Sequence, residues 1–217
     1  MVNVDYEIAR TRMIKEQLIA RDITDTRVLK AMSTVPRHMF VDQAFWPRAY
    51  GDHSLPIGND QTISQPYTVG LICRELQIPV GKKILEIGTG SGYQSAVLSL
   101  MGYDVYTIER IENLSKKAMN IIKKLGIKNI HFKIGDGTLG WKEEAPFDGI
   151  VVTAGAPSVP ETLTDQLNID GRIIIPVGTL SSQILQVIIK GKGYIEKREA
   201  GGCNFVPLLG ENGWKSE

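Results

Sequence analysis

Three glycines alternate with other residues in the segment Leu85–Gln94 (LEIGTGSGYQ), directly after an apolar strand-like run and directly before a helix-like pattern. Glycine lets the backbone turn tightly and approach a bound molecule closely, because a side chain at such a position would occupy the space that the ligand needs. Gly88, Gly90 and Gly92, with Thr89 between the first two, therefore predict a crevice for a nucleotide cofactor.

Acidic residues end the strand-like segments that follow this loop. Glu109 lies about 20 residues after the first glycine, where an open α/β sheet places an acid that accepts hydrogen bonds from ribose hydroxyls. Asp136 and Gly137 end the next strand at the same sheet edge, which predicts an acceptor for an adenine amino group. The alternatives are a solvated acid at a strand end for Glu109 and an ordinary Asp-Gly turn for Asp136.

The glycine spacing separates the possible cofactors. Dinucleotide enzymes favour G-x-G-x-x-G, with a helix N-terminus directed at a pyrophosphate, whereas this chain has G-x-G-x-G. Glu86, two residues before Gly88, is an unfavourable neighbour for an anion and a suitable one for a cationic ligand. S-adenosylmethionine carries an ammonium and a sulfonium group, so we expect it to be the cofactor.

The segment before this loop combines helices with an irregular stretch. Apolar residues spaced among charged ones predict a helix over Tyr6–Ala20, and Thr24 or Asp25 is expected to cap a second helix through Met32. Prolines and glycines punctuate Val35–Gln61, which predicts a long irregular loop able to cover a site. A helix entered through Pro66 follows and continues to Leu76.

From Lys83 onwards, strand-like and helix-like segments alternate. This alternation predicts an α/β fold with a doubly wound, mostly parallel sheet that helices cover on both faces. Two strands around the turn Gly191–Gly193 then predict a C-terminal antiparallel hairpin. We expect a single domain over residues 1–217, with a helical N-terminal part and loop (1–80), a cofactor-binding core (81–178) and the hairpin with the C-terminal segment (179–217).

Composition excludes several classes of function. The chain has 217 residues, with 25 Lys and Arg against 24 Asp and Glu, so there is no basic excess to bind nucleic acid. The segment Met1–Arg10 lacks an apolar core of signal-peptide length, and no later run approaches the about 20 apolar residues of a membrane span. We therefore expect a cytoplasmic protein with no nucleic-acid or membrane partner.

Metal and redox chemistry have little support in the sequence. Cys73 and Cys203 lie far apart in apolar surroundings, which predicts two buried thiols. The three histidines have no ligand spacing, so we expect no metal site. They are His38, His53 and His131.

At the level of motifs, the chain closely resembles the protein-L-isoaspartate (D-aspartate) O-methyltransferases over nearly its whole length. The glycine loop is common to many methyltransferases, whereas TISQPY and FVPL are far more specific. The segments that carry the resemblance are VPRHMFV (Val35–Val41), YGDHSLPIGNDQTISQPY (Tyr50–Tyr67), LEIGTGSGYQSAVL (Leu85–Leu98), IGDGTLG (Ile134–Gly140), APFDGIVVTAGAP (Ala145–Pro157), QLNIDGRIIIPVG (Gln166–Gly178) and FVPLLG (Phe205–Gly210).

The resemblance implies a fold, a reaction and site residues. It implies a class I, Rossmann-like methyltransferase that transfers the methyl group of S-adenosylmethionine to the free α-carboxylate of L-isoaspartyl residues, and to D-aspartyl residues to an extent left open. The product is S-adenosylhomocysteine, and the partners are damaged proteins and peptides. It also implies an active-site role for Ser64, with Ile63, Gln65 and Pro66 bordering the cofactor. A helix cap is the alternative role for Ser64, and the two roles are compatible.

The segment FVPL is expected to flank the substrate peptide. Pro207 cannot donate a hydrogen bond to a neighbouring strand, so an extended peptide could lie beside Phe205, Val206 and Leu208. The alternative is an edge segment whose apolar side chains pack on the core. We further expect the protein to be a monomer.

Three other functions stay open on the residues alone. A class I methyltransferase acting on RNA or a small molecule would keep the same cofactor site, although neutral charge and TISQPY disfavour it. An NAD-linked oxidoreductase is disfavoured by the glycine spacing. A non-catalytic sensor of S-adenosylmethionine would keep the glycine loop but would not need Ser64.

Overall fold

Helical elements begin the part of the chain that the structure describes. The computed structural model covers residues 5–215, so residues 1–4 and 216–217, which the single-domain prediction includes, lie outside the described residues. Helix α1 (Tyr6–Met13) runs into a π-helical turn (Ile14–Leu18) and a 3-10 turn (Ile19–Arg21), and helix α2 spans Thr26–Thr34. Asp25 caps α2 by accepting hydrogen bonds from Arg27 and Val28 N–H groups, as one of the two predicted caps.

The predicted irregular loop contains regular structure. Two 3-10 turns (Arg37–Phe40 and Gln43–Arg48) precede a hairpin of strands β1 (Leu55–Gly58) and β2 (Gln61–Ile63). The two residues that join these strands, Asn59 and Asp60, have φ of 55° and 56°, which is typical of the type I′ turns that fit a hairpin's twist. An Asn-Asp pair favours such a turn, but the prediction of an irregular loop did not take it into account. Helix α3 (Pro66–Leu76) follows and begins at the predicted proline.

A seven-stranded sheet forms the centre of the molecule. Its strand order is β5-β4-β3-β6-β7-β8-β9, in which β3 to β7 run parallel while β8 and β9 are antiparallel to their neighbours. This arrangement confirms the predicted mostly parallel α/β fold with an antiparallel hairpin at its C-terminal end. The elements are β3 (Lys83–Ile87), α4 (Tyr93–Leu100), β4 (Asp104–Glu109), α5 (Glu112–Lys124), β5 (Ile130–Ile134), β6 (Phe147–Val152), α6 (Glu161–Asp165), β7 (Leu167–Gly178), β8 (Gln183–Lys190) and β9 (Ile195–Cys203).

Apolar side chains cover the sheet on both faces. Ile84 and Val151 belong to a core cluster that α2, α3 and α4 complete on one face, whereas Leu85 and Ile150 belong to a second cluster with α6 on the other. Adjacent residues of a strand point to opposite faces, so neighbours in sequence enter different clusters. The sheet is therefore doubly wound. Its chain order reverses at β3, which has β4 on one side and β6 on the other, and a crevice opens at such a point.

The predictions about thiols were half correct. Cys73 is buried, whereas Cys203 is only half-buried because it lies at the end of the edge strand β9. Within residues 5–215 there is no group of three or more His, Cys, Asp or Glu side chains that could hold a metal ion. No helix in the same range has both the length and the apolar character to cross a membrane.

Candidate active site

A cavity opens at the carboxyl ends of β3, β4 and β6. It measures about 850 Å³ with its open mouth included, and the β1–β2 hairpin and residues 206–209 border it. The sequence-predicted residues that line it are Ile63, Ser64, Gly88, Thr89, Gly90, Glu109, Gly137, Val206, Pro207 and Leu208. The predicted residues outside its lining are Gln65, Pro66, Glu86, Gly92, Asp136 and Phe205.

The glycine loop forms the floor of this cavity. All three of its glycines have positive φ, with Gly88 at 96° and Gly90 at 52°. A β-carbon on Gly88 would lie 2.4 Å from Thr153 Oγ1, whereas one on Gly90 would meet only Ile57 Cδ1 at 3.5 Å. At Gly88 the obstacle to a side chain is therefore the neighbouring strand end, whereas for Gly90 the idea that a side chain would fill ligand space stays a prediction.

Glu109 joins two backbone segments beside the floor. It is only 6% exposed, and its Oε2 accepts a hydrogen bond from Gly90 N at 2.8 Å while Oε1 accepts one from Ile111 N at 2.9 Å. A carboxylate oxygen has two lone pairs, so each oxygen can still accept a second hydrogen bond. Glu109 can thus hold the loop and receive ribose hydroxyls at the same time.

Glu86 does not face the cavity, in contrast to its predicted role beside a cationic ligand. The side chain is fully buried behind the glycine loop, where Ser95 and Thr107 hydroxyls donate to its Oε2. Thr107 Oγ1 also lies 2.7 Å from Oγ1 of Thr89, a residue of the cavity floor. Burial raises the pKa of Glu86 to about 7, because the charged form loses its hydration there. Hydrogen bonds through Thr107 and Thr89 thus connect Glu86 to the cavity floor.

Asp136 does not line this cavity. Its carboxylate accepts hydrogen bonds from Thr138 N and Oγ1 and from Glu211 N, and so attaches the C-terminal segment to the end of β5. Although burial alone acts to raise the pKa of Asp136, these hydrogen bonds lower it below its ordinary value. Only its neighbour Gly137 reaches the cavity. The Asp-Gly turn, which was the alternative, describes this geometry.

Ser64 lies at the rim of the cavity with its hydroxyl available. Among residues 5–215 no group forms a hydrogen bond with the Ser64 hydroxyl, and Gln65, not Ser64, is the N-cap of α3. The Ser64 hydroxyl therefore does not cap helix α3. The Ser64 carbonyl oxygen accepts a hydrogen bond from Arg37 Nη2 at 2.8 Å.

A second groove meets the cavity at Ser64. Four residues line both concavities, namely Thr62, Ser64, Thr153 and Val206. The groove continues away from the glycine loop towards α3 and the end of β9. A molecule in the groove and a molecule in the cavity would therefore approach each other beside the Ser64 side chain. The other residues of the groove include Arg21, Asp52, His53, Gln65, Tyr67, Asn204 and Phe205.

Comparison with known proteins places this geometry in a family. The family described as Protein-L-isoaspartate(D-aspartate) O-methyltransferase has a profile that matches residues 9–213. The chain belongs to this family. It is 52% identical to protein-L-isoaspartate O-methyltransferase 2 of Geotalea uraniireducens and 51% identical to protein-L-isoaspartate O-methyltransferase of Trichlorobacter lovleyi. The first alignment covers 100% of both chains, and the second covers 98% of each.

Solved structures agree with the family assignment. A protein-L-isoaspartate O-methyltransferase superposes with a TM-score of 0.84 at 29% identity, covering 94% of this chain and 66% of that longer chain. A protein-L-isoaspartate O-methyltransferase from Plasmodium falciparum, solved in complex with S-adenosyl-L-homocysteine, superposes with a TM-score of 0.81 at 26% identity. That alignment covers 92% of this chain and 98% of the other. The resemblance inferred from the motifs is confirmed.

In this member of the isoaspartate methyltransferase family, the segment FVPL lies across the carboxyl end of β6. Gly155 N donates to Val206 O and Leu208 N donates to Gly155 O, both at 2.8 Å, and Trp214 Nε1 donates to the same Gly155 oxygen. Val206, Pro207 and Leu208 consequently border the cavity, and their role beside a substrate peptide stays a prediction. Phe205 packs into the core at 9% exposure, which is the alternative role considered for this segment.

Several lining residues were missed by sequence reasoning. Arg110 and Ile111 follow Glu109 directly, and Thr153 and Ala154 follow β6, so all four lie after strands at the same carboxyl edge that the sequence indicated. Ligands of such sheets bind beyond the carboxyl ends of the strands, and this expectation applied to β6 would have identified Thr153 and Ala154. The remaining missed residues are Gln61, Thr62, Val69, Ile87, Ser91, Tyr93, Gln94, Ile108 and Leu209, and no local signal marks most of them.

Proposed function

We propose that this chain transfers the methyl group of S-adenosylmethionine to the free α-carboxylate of L-isoaspartyl residues in damaged proteins, with S-adenosylhomocysteine as product. The observation that carries the proposal is the place of Ser64, whose available hydroxyl lies where the cavity and the groove meet. Family membership and the full-length relatives support the same reaction. D-aspartyl residues are a further substrate to test, because the family description includes them.

We place the adenosyl part of this cofactor in the cavity. Its floor offers Gly90, where an added β-carbon would meet only the Ile57 side chain, and beside it the Glu109 carboxylate keeps free lone pairs for ribose hydroxyls. Gly88, Thr89 and Gly137 complete the floor, and Ile63 faces them from the hairpin. When bound, the cofactor supplies an activated methyl group on a sulfonium. Every other requirement of the reaction falls to the residues of this chain.

The residues around Ser64 need to position the acceptor without deprotonating it. A carboxylate is already ionised at neutral pH, so no general base is required and the task is alignment together with exclusion of water. The Ser64 hydroxyl can donate a hydrogen bond to one carboxylate oxygen and leave the other free to face the cavity. Val206, Pro207 and Leu208 supply apolar surface that keeps water away from that oxygen.

The groove accommodates the polypeptide on either side of the damaged residue. Its walls mix apolar and polar side chains, among them Tyr67, Asn204 and Val206. An extended peptide in it would present its isoaspartyl carboxylate at Ser64 while its flanking residues extend towards Arg21 and Asp52. We further propose that the chain acts as a monomeric single domain in the cytoplasm and without nucleic acid, in keeping with its formal net charge of +1.

A pair of peptides tests the reaction directly. The protein is incubated with S-adenosylmethionine carrying a labelled methyl group and with two peptides that differ only in an Asp or an isoaspartyl linkage. We expect base-labile label on the isoaspartyl peptide alone, because only that linkage presents a free α-carboxylate. Equal labelling of both peptides, or of neither, would contradict the proposal. A third peptide, with D-Asp at the same position, tests whether D-aspartyl residues are methylated as well.

A further inference from the structure

The 3-10 turn after α2 places a fully buried guanidinium beneath Ser64. Arg37 has 0% exposure, and its Nε donates to Ala49 O at 2.7 Å while Nη2 donates to Ser64 O at 2.8 Å. Its Cζ lies 4.9 Å from the centroid of the Tyr93 ring, and Tyr93 lines the cavity. Arg37 thus joins the segment that carries Ser64 to the beginning of α4.

This guanidinium has no anionic partner in the part of the chain that the structure describes. None of the ion pairs within 4.0 Å among residues 5–215 includes Arg37, and its Nη1 has no hydrogen-bond partner there. Burial lowers the pKa of Arg37 to about 10, which leaves it charged at neutral pH. Buried charges are normally paired, because an uncompensated one costs several kcal/mol of hydration. Among the described residues, the charge of Arg37 therefore stays uncompensated beside the Ser64 segment.

Two charged side chains hold different segments of the site. The Glu109 carboxylate accepts a hydrogen bond from Gly90 N of the glycine loop, whereas the Arg37 guanidinium donates one to the Ser64 carbonyl. A carboxylate at the loop suits a cationic sulfonium, and a guanidinium bonded to the Ser64 segment suits an anionic carboxylate. Two carbonyl oxygens and an aromatic face stabilise the guanidinium without neutralising its charge.

We propose that Arg37 is a positioning residue for the substrate carboxylate, an inference that rests on the proposed function. It has two actions. Its hydrogen bond to the Ser64 carbonyl fixes the segment that presents the hydroxyl, and its unneutralised charge favours a carboxylate over an uncharged group at that hydroxyl. Arg37 touches neither the substrate nor the cofactor directly, so both actions pass through the Ser64 segment or through space.

A pair of substrate analogues separates the charge from a merely structural role. One peptide carries the isoaspartyl α-carboxylate and its partner carries a carboxamide at the same atom, and both are titrated onto the protein saturated with S-adenosylhomocysteine. We expect the wild-type protein to bind the carboxylate peptide at least tenfold more tightly. In Arg37→Met we expect this preference to fall below threefold and the KM for the isoaspartyl peptide to rise at least tenfold. Arg12→Met, at an exposed position on α1, is the matched control that should leave both unchanged.

A second variant preserves the test if Arg37→Met fails to fold. Arg37→Lys retains the charge but loses the planar fork, so we expect it to keep the carboxylate preference while kcat falls. Loss of the preference in Arg37→Lys would overturn the proposal. Full preference in a folded Arg37→Met that binds S-adenosylhomocysteine normally would overturn it too, as would a wild-type protein that binds both analogues equally. Methylation of the isoaspartyl peptide by the wild-type protein tests the proposed function separately.

Discussion

Glu109 Oε2 accepts a hydrogen bond from Gly90 N at 2.8 Å, so the acid that ends β4 holds the glycine loop in place. The same carboxylate lines the cavity and, in our proposal, receives the ribose of the cofactor. The Glu109 side chain therefore connects the conformation of the glycine loop to the binding of the cofactor. Removing this carboxylate would disturb both the loop and the ribose contact, so cofactor affinity is the quantity that we expect to change.

We expect Glu109→Ala to weaken S-adenosylhomocysteine binding by about 10- to 150-fold, because hydrogen bonds to a charged group contribute about 1.5 to 3 kcal/mol. Calorimetric titration measures the dissociation constant. Glu112→Gln is the control, since Glu112 is exposed and pairs only with Lys116 on the surface of α5. An unchanged dissociation constant in Glu109→Ala would remove Glu109 from the cofactor site.

We expect Ser64→Ala to lower kcat/KM for an isoaspartyl peptide by about 10- to 150-fold, the effect of one hydrogen bond to a carboxylate. Cofactor affinity should change less than threefold, because our proposal assigns the Ser64 hydroxyl to the substrate carboxylate. Steady-state kinetics and calorimetry provide the two readouts. Ser33→Ala on the exposed face of α2 is the matched control. Wild-type kinetics in Ser64→Ala would show that the hydroxyl takes no part.

Glu86 makes stability depend on pH. Burial raises its pKa to about 7 from an ordinary value of 4.5, so the folded protein keeps a proton that the unfolded chain loses between these values. This contribution to the free energy of unfolding is complete below pH 4.5 and is lost as pH rises to 7, by about 3 kcal/mol at most. Glu86→Gln imitates the protonated form and should reduce the decrease in stability between pH 5 and pH 8. Urea unfolding at both pH values measures it, and an identical decrease in both proteins would contradict the shifted pKa.

Gly88→Ala should destabilise the protein by more than about 2 kcal/mol. Gly88 has φ of 96°, which costs an alanine about 1 to 2 kcal/mol, and the new β-carbon would lie 2.4 Å from Thr153 Oγ1. Gly135→Ala provides the comparison, because nothing lies within 4 Å of its β-carbon position and its φ is not positive. Thermal unfolding of the two variants measures the difference. Equal stability would mean that the loop rearranges freely.

Much of the fold and the centre of the site could be predicted from the sequence. Hydrophobic segments with strand and helix periodicity set the order of elements from β3 to β9, and parallel strands bring their carboxyl ends to one edge. Glu109 and Gly137 therefore reached the cavity as expected. The β1–β2 hairpin was missed because prolines and glycines around it suggested irregular structure, while the Asn59–Asp60 turn that forms it occupies only two residues.

Sequence alone determined which edge of the sheet would carry the cavity, because strand alternation and a glycine loop act locally and need no knowledge of distant contacts. Only the tertiary structure decided what each side chain at that edge would touch. The Glu86 carboxylate accepts hydrogen bonds from Ser95 and Thr107, and Arg37 donates one to the Ser64 carbonyl 27 residues away. Such pairings depend on how separate elements pack, because a buried polar group must find its partners wherever the fold brings them.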